Sequence, residues 1–302
     1  MNNLRKRLDG LLGYAGLETR FCDVETIGTQ QRNGACIQDL RFHTLDGESA
    51  NAWFVLLNLE TDGPRPAILY LHAHGNRYDI GRGELFDGRP ALYRPYIGDL
   101  IELGFAILCI EMPCFGARAA PTESSRAKAH SWYGKTLFGQ MLYELRCGMT
   151  YLCEHPAIDA TRIGTLGISM GGTQAYWLAA LDDRVCAAVS LCAFADLACL
   201  IDEGQHDKHG QYMTVPGLLA LTSTGRIAGL IAPRPLFVGV GMRDWSSPKA
   251  CFDTAFRELD ECYAETAGRA RLEVHVEQES GHEETALMRR ATLAFLAKHL
   301  CI

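Results

Sequence analysis

The sequence predicts an α/β protein with a mostly parallel central sheet, an antiparallel N-terminal start, helices on both faces and a small cap insertion. Three observations carry this expectation. Short, nearly continuous apolar runs recur from residue 67 onward, helix-like segments separate most of them, and an earlier pair of apolar runs flanks a tight polar turn. Strands that are apolar on both faces belong in a parallel sheet covered on both sides.

Taken in order, residues 1–34 read as an N-terminal helical extension. Its start, "MNNLRKRLDGLLGYAGLETR", is amphipathic, and Asp9, two interrupting glycines and the lack of a small-x-small site argue against a signal peptide. "ACIQDLRFHT" (35–44) and "ANAWFVLLNL" (50–59) then form a hairpin about Asp46-Gly47. After the punctuation "TDGPRP" come six strands: "AILYLH" (67–72), "FAILCI" (105–110), "RIGTLG" (162–167), "VCAAVSLC" (185–192), "PLFVGVG" (235–241) and "RLEVHVE" (271–277). "YRPYIGDLIELG" and "KTLFGQMLYELRCGMTYLCEH" are helical, the latter with apolar residues at 138, 141, 142, 145, 149 and 152. Residues 194–232 are too long for a simple crossover. They mix "DEGQHDKHGQY" with "VPGLLAL", which suggests a cap over the strand ends where ligands bind in open α/β sheets. A helix over 283–299 closes the chain, and one domain holds all of residues 1–302.

Composition excludes several classes. With 29 Lys plus Arg against 36 Asp plus Glu, the net charge is −7, and no basic stripe is present to neutralise nucleic-acid phosphates. No run approaches the ~18 apolar residues of a membrane span. The 12 cysteines form no CxxC, and several, such as Cys109 and Cys192, sit inside apolar runs as small hydrophobes. A reduced, cytoplasmic protein without structural zinc is expected. His72 and His74 lack a nearby carboxylate partner in sequence, and "HDKH" at 206–209 reads as a solvated lid segment, so no metal is expected. Nothing in the chain specifies an oligomeric state.

The chemistry centres on "TLGISMGGTQAYW" (165–177). Ser169 follows a strand and precedes an amphipathic helix, the setting that the G-x-S-x-G elbow requires. Serine needs a base, itself oriented by an acid. "MRDWSSP" puts Asp244 after one strand, and "ESGHEE" puts His282 after the next. All three residues therefore fall at one sheet edge in the order Ser, Asp, His. Asp196, one strand earlier, is the alternative acid, and Asp244 is favoured because its loop stands just ahead of a helix. His275 lies within a strand and His299 near the end of the last helix, so His282 is the base. An oxyanion hole needs two N–H donors. The backbone of Met170 is one; the other is His74 on the loop "AHGNRYDIG", with Asn76 the fallback.

With these residues in view, the chain resembles the α/β-hydrolase superfamily, in particular its dienelactone-hydrolase-like and acetyl-xylan-esterase-like branch. "LYLHAHGN" is similar to the strand-to-oxyanion-loop motif, with Ala73 in place of the usual glycine. "IEMPCFGAR" resembles the following loop, with Glu111 and Cys114 departing from it. "IDATRIGTLGISMGG" matches the approach to the elbow, "IAPRPLFVGVGMRDWSSP" the acid segment and "SGHE" the histidine segment. The resemblance runs from about residue 50 to the end. It implies the α/β-hydrolase fold and a Ser169, Asp244, His282 triad without cofactor or metal. Dienelactone hydrolases use a cysteine nucleophile and prolyl-oligopeptidase relatives carry a propeller domain, so a serine esterase acting on a small-molecule ester is the expectation. Peptidase or thioesterase chemistry on the same triad, or a non-catalytic binding scaffold, are the alternatives. Arg77, Arg82 and Arg118 fall on loops that border the expected site, and "VPGLLAL" is either acyl-pocket lining or cap core.

Overall fold

The computed structural model describes residues 2–32, 34–57 and 63–301. Its strands are β1 (Phe21–Arg32), β2 (Ala35–Thr44), β3 (Ser49–Leu57), β4 (Arg65–Leu71), β5 (Ala106–Ile110), β6 (Ile158–Ile168), β7 (Ala187–Leu191), β8 (Leu236–Gly241) and β9 (Leu272–Glu277). Among the described residues they form one nine-stranded sheet in the order β1-β2-β3-β5-β4-β6-β7-β8-β9. The first three strands are an antiparallel meander, β3 pairs antiparallel with β5, and β4 to β9 all run parallel. This is the α/β-hydrolase architecture, and the expected mostly parallel sheet with an antiparallel start is present.

Each expected strand lies where its apolar run lies. β4, β5, β7 and β8 are buried almost throughout, because helices cover both faces. The core accordingly divides in two. One cluster packs the helices Asn2–Leu12, Leu137–Glu154, Met170–Leu181 and Lys249–Ala264 on one face. The other packs Ile97–Glu102 and Ala286–Leu300 on the opposite face. None of the described helices is long and apolar enough to cross a membrane.

Two expectations need correction. The N-terminal 1–34 segment is helical only over Asn2–Leu12, and Phe21–Arg32 is a strand. Every β1 residue after Phe21 is exposed, so no apolar alternation marks it in the sequence. As the sheet edge, it carries register shifts at Phe21/Asp23 and Thr26/Gly28, irregularities that blunt an edge against further pairing. The expected end of the hairpin at residues 58 and 59 lies outside the described residues.

The second correction concerns cysteine. The chain is not fully reduced, because Cys199 and Cys251 form a disulfide across 52 residues, with Cα atoms 5.2 Å apart. Spacing along the chain carries no trace of a pair that only the fold brings together. The bond ties the helix Leu197–Asp202, first in the 194–232 insertion, to the helix Lys249–Ala264. The rest of that insertion is short turns and the helices Leu218–Leu221 and Thr224–Gly229. Ile227 and Ala228 of the insertion's last helix join the main core, as do Tyr212, Val215 and Leu218 before it.

Breaking this crosslink should lower stability by about 2–4 kcal/mol. The measurement is the urea midpoint of Cys199→Ser against wild type under non-reducing conditions. An unshifted midpoint would show that the bond contributes nothing.

Candidate active site

β6 runs directly into the helix Met170–Leu181, and Ser169 is the single residue between them. Its backbone takes φ 57° and ψ −123°, a region that costs a non-glycine residue about 1–3 kcal/mol and clusters at functional sites. The flanking glycines are obligatory. A Cβ at Gly171 would lie 1.9 Å from the Leu71 carbonyl oxygen, and one at Gly167 would lie 2.3 Å from the Gly171 carbonyl carbon. The helix N-terminus is thereby pressed against the end of β4. Met170 is its first residue, so its N–H has no partner within the helix and carries the positive end of the helix dipole.

Asp244 and His282 stand on the loops after β8 and β9. Arg243 N–H bonds the Ser280 carbonyl at 2.9 Å, which couples the two loops. His282 Nδ1 lies 3.0 Å from both carboxylate oxygens of Asp244. Asp244 is buried and also accepts the Ser246 N–H at 2.7 Å, so its orientation is set from two sides. With Nδ1–H donated to Asp244, the Ser246 hydroxyl, 2.9 Å from Nδ1, is left to donate to the Cys192 carbonyl at 3.4 Å. Asp196, the alternative acid, instead caps the helix Leu197–Asp202 by accepting the Cys199 N–H at 2.9 Å.

The histidine loop is pinned from the far face. Glu284 N–H donates to the Ala91 carbonyl at 2.8 Å, and the Glu284 carboxylate is bound by Arg289 and by the Tyr96 hydroxyl. Arg289 also bonds Asp99 and lies 3.5 Å from the Tyr96 ring centre. All four side chains are buried.

The loop after β4 is equally fixed. Buried Glu84 pairs with Arg89 and accepts the Ala73 N–H at 2.9 Å, while Arg89 donates to the Ala73 carbonyl at 2.9 Å. A trans peptide points its C=O and N–H in opposite directions. Holding the Ala73 oxygen therefore aims the His74 N–H the other way. His72 is fully buried, its Nε2 accepting the Met112 N–H at 3.1 Å. Burial pushes its pKa down to about 3, which keeps it neutral. Both histidine rings are committed to protein partners, and among the described residues no group of three potential ligands could hold a metal ion.

Ser169, His282 and His74 line one pocket of about 260 Å³. Its remaining wall comes largely from side chains that sequence reasoning did not single out, among them Tyr176, Tyr212, Met213 and Trp245. Leu197, Leu200 and Lys208 come from the insertion, as does His209 of the "HDKH" stretch. Arg77, Arg82 and Arg118 do not line it; they pair with Asp79, Asp39 and Glu144. Val215 and Leu218, from "VPGLLAL", are buried residues of the insertion that line a separate cleft. Cys192 also lines the pocket, but burial first and then the Asp244 charge push its thiol well up, so it stays protonated.

No family model matches the chain. A curated relative does: it is 38% identical over 297 residues, covering 98% of each chain, to "Putative hydrolase YtaP" of Bacillus subtilis (strain 168). The chain belongs to the α/β-hydrolase family of YtaP. Solved structures agree on the fold. The chain is similar to methylesterase BT1017, with TM-score 0.75 and 20% identity over 98% of this chain and 62% of that one. It is also similar to an acetyl xylan esterase from Paenibacillus sp. R4, with TM-score 0.67 and 18% identity over 99% and 94% of the two chains.

Arg289→Met should cost about 3–5 kcal/mol, because it leaves Glu284 buried without its cation, while Asp99 keeps only Arg94. Chemical denaturation checks this. A change below about 1 kcal/mol would mean the network does not hold the histidine loop.

Proposed function

We propose that this family member is a serine hydrolase that cleaves a carboxylic ester through a Ser-His-Asp acyl-enzyme mechanism. The observation that supports it best is that His282, 3.0 Å from Asp244, lines the same pocket as a strained Ser169. Asp244 holds the proton on Nδ1, which leaves Nε2 free to take the Ser169 proton as the hydroxyl attacks the ester carbonyl. The Met170 and His74 N–H groups hold the tetrahedral oxyanion. The alcohol departs with the proton from His282, and water activated by the same imidazole releases the acid. The reading needs neither a metal nor an organic cofactor.

Ester rather than amide cleavage is favoured by the names of the structural neighbours, an acetyl xylan esterase and a methylesterase. The pocket volume, about 260 Å³, suits a small acyl group. We further read residues 1–302 as one domain, with the first part of the 194–232 insertion as its cap.

A fluorophosphonate probe should label Ser169, and Ser169→Ala should abolish labelling. Asp244→Asn should lower kcat on a 4-nitrophenyl ester by about 10⁴-fold, since it favours the wrong imidazole tautomer. Asp196→Asn should retain activity near that of wild type. A folded wild type that the probe leaves untouched would defeat the proposal, and a larger loss at Asp196 than at Asp244 would reassign the acid.

A further inference from the structure

Glu123, first residue of the helix Glu123–Trp132, is only 5% exposed and plays no part in the mechanism above. Its carboxylate takes three hydrogen bonds from three parts of the chain. His74 Nε2 lies 2.6 Å and the Tyr78 hydroxyl 2.7 Å from Oε2, while the Tyr212 N–H donates to Oε1 at 2.6 Å. His74 and Tyr78 belong to the loop after β4, whereas Tyr212 belongs to the cap. The cap backbone lies so close that a Cβ at Gly210 would be 2.8 Å from His74 Nε2 and 2.9 Å from Glu123 Oε1.

The bonds around His74 leave it no freedom. Asn76 N–H donates to Nδ1 at 3.1 Å, so the proton of the neutral ring sits on Nε2 and is given to Glu123. Phe115 packs edge-on at 5.2 Å and Tyr212 stacks at 5.6 Å. The ring is therefore fixed at one end of residue 74, and Arg89 fixes the Ala73 carbonyl at the other. Between these anchors lies the His74 N–H. Burial works to raise the Glu123 carboxyl, but the bonds from His74, Tyr78 and Tyr212 outweigh it, and the group remains ionised.

We propose that Glu123 is a positioning residue for hydrolysis: acting through the His74 ring, it holds the second oxyanion donor and the cap wall in one register. The inference rests on the serine-hydrolase reading and deepens it. The carboxylate form matters because all three partners are donors. An amide offers one oxygen and one NH2, so Gln at this position would set a donor against either the Tyr212 N–H or the His74 Nε2–H, although the Tyr78 hydroxyl can turn to accept. Tautomer exchange cannot relieve the conflict, since Asn76 occupies the Nδ1 lone pair.

The test is kcat and KM on 4-nitrophenyl acetate, with enzyme concentration taken as serine titrated by the fluorophosphonate probe. Glu123→Gln should lower kcat per titrated serine about 10- to 100-fold, the scale of a displaced donor, with KM within about twofold of wild type. Tyr78→Phe guards against a variant that fails to fold. It deletes one of the three donors on a residue 36% exposed, and should lower kcat by severalfold without moving the melting midpoint. Wild-type kcat per titrated serine in Glu123→Gln and Tyr78→Phe alike, with loss only in the titratable fraction or the melting midpoint, would make Glu123 merely structural and overturn the inference. A wild type that hydrolyses the ester but resists the probe would instead strike at the serine reading, and at this inference with it.

Discussion

Parallel pairing from β4 to β9 is the constraint on which the rest of the molecule depends. Parallel strands cannot be joined by tight hairpins, so each must leave the sheet, cross over and return. All six consequently end at one edge. Residues far apart in sequence (Ser169, Asp244 and His282) meet there because each follows its own strand. Covering both faces with helices makes β4, β5, β7 and β8 apolar almost throughout, and burial in turn makes the strand ends rigid enough to present side chains.

Rigidity at that edge comes from polar groups as much as from packing. The Ser169 loop is a strained single residue held by a glycine pressed on the Leu71 carbonyl. The His282 loop is held by Glu284 and Arg289 beneath it, and the loop after β4 by Glu84 and Arg89. In the last two cases a buried carboxylate has its partners in place, which is the condition under which a buried charge can be tolerated. Removing a partner therefore acts at a distance, through the loop the pair supports. The 194–232 insertion is attached differently, by the Cys199–Cys251 bond near its start and by the Glu123 contact with Tyr212 further on.

Much of this was readable from residues alone, for definite reasons. The strands β4, β5, β7 and β8 are buried on both faces, so their apolar runs stand out, and Asp244, just after β8, must lie at the sheet edge; His282 follows the part-buried β9, whose alternating Leu272, Val274 and Val276 still mark a strand. β1 was not readable, because an edge strand exposed after Phe21 has no buried face to impose a pattern. The disulfide was hidden by its 52-residue separation among cysteines that otherwise behave as small hydrophobes. The pocket wall was hidden for a related reason. Trp245 and Tyr176 line it through tertiary placement, and neither residue type nor spacing announces that role. Arg118 shows the converse: its loop position suggested a place beside the site, yet it is buried against Glu144.

The central claim is that Ser169 attacks while the N–H groups of Met170 and His74 receive the negative charge. A crystal structure of the protein after reaction with a fluorophosphonate tests both parts at once, since the phosphonyl oxygen mimics the oxyanion. The account predicts phosphorus bonded to Ser169 Oγ, with its oxygen about 3 Å from both backbone nitrogens. An adduct on another residue, or a phosphonyl oxygen turned toward solvent with neither N–H in reach, would contradict it.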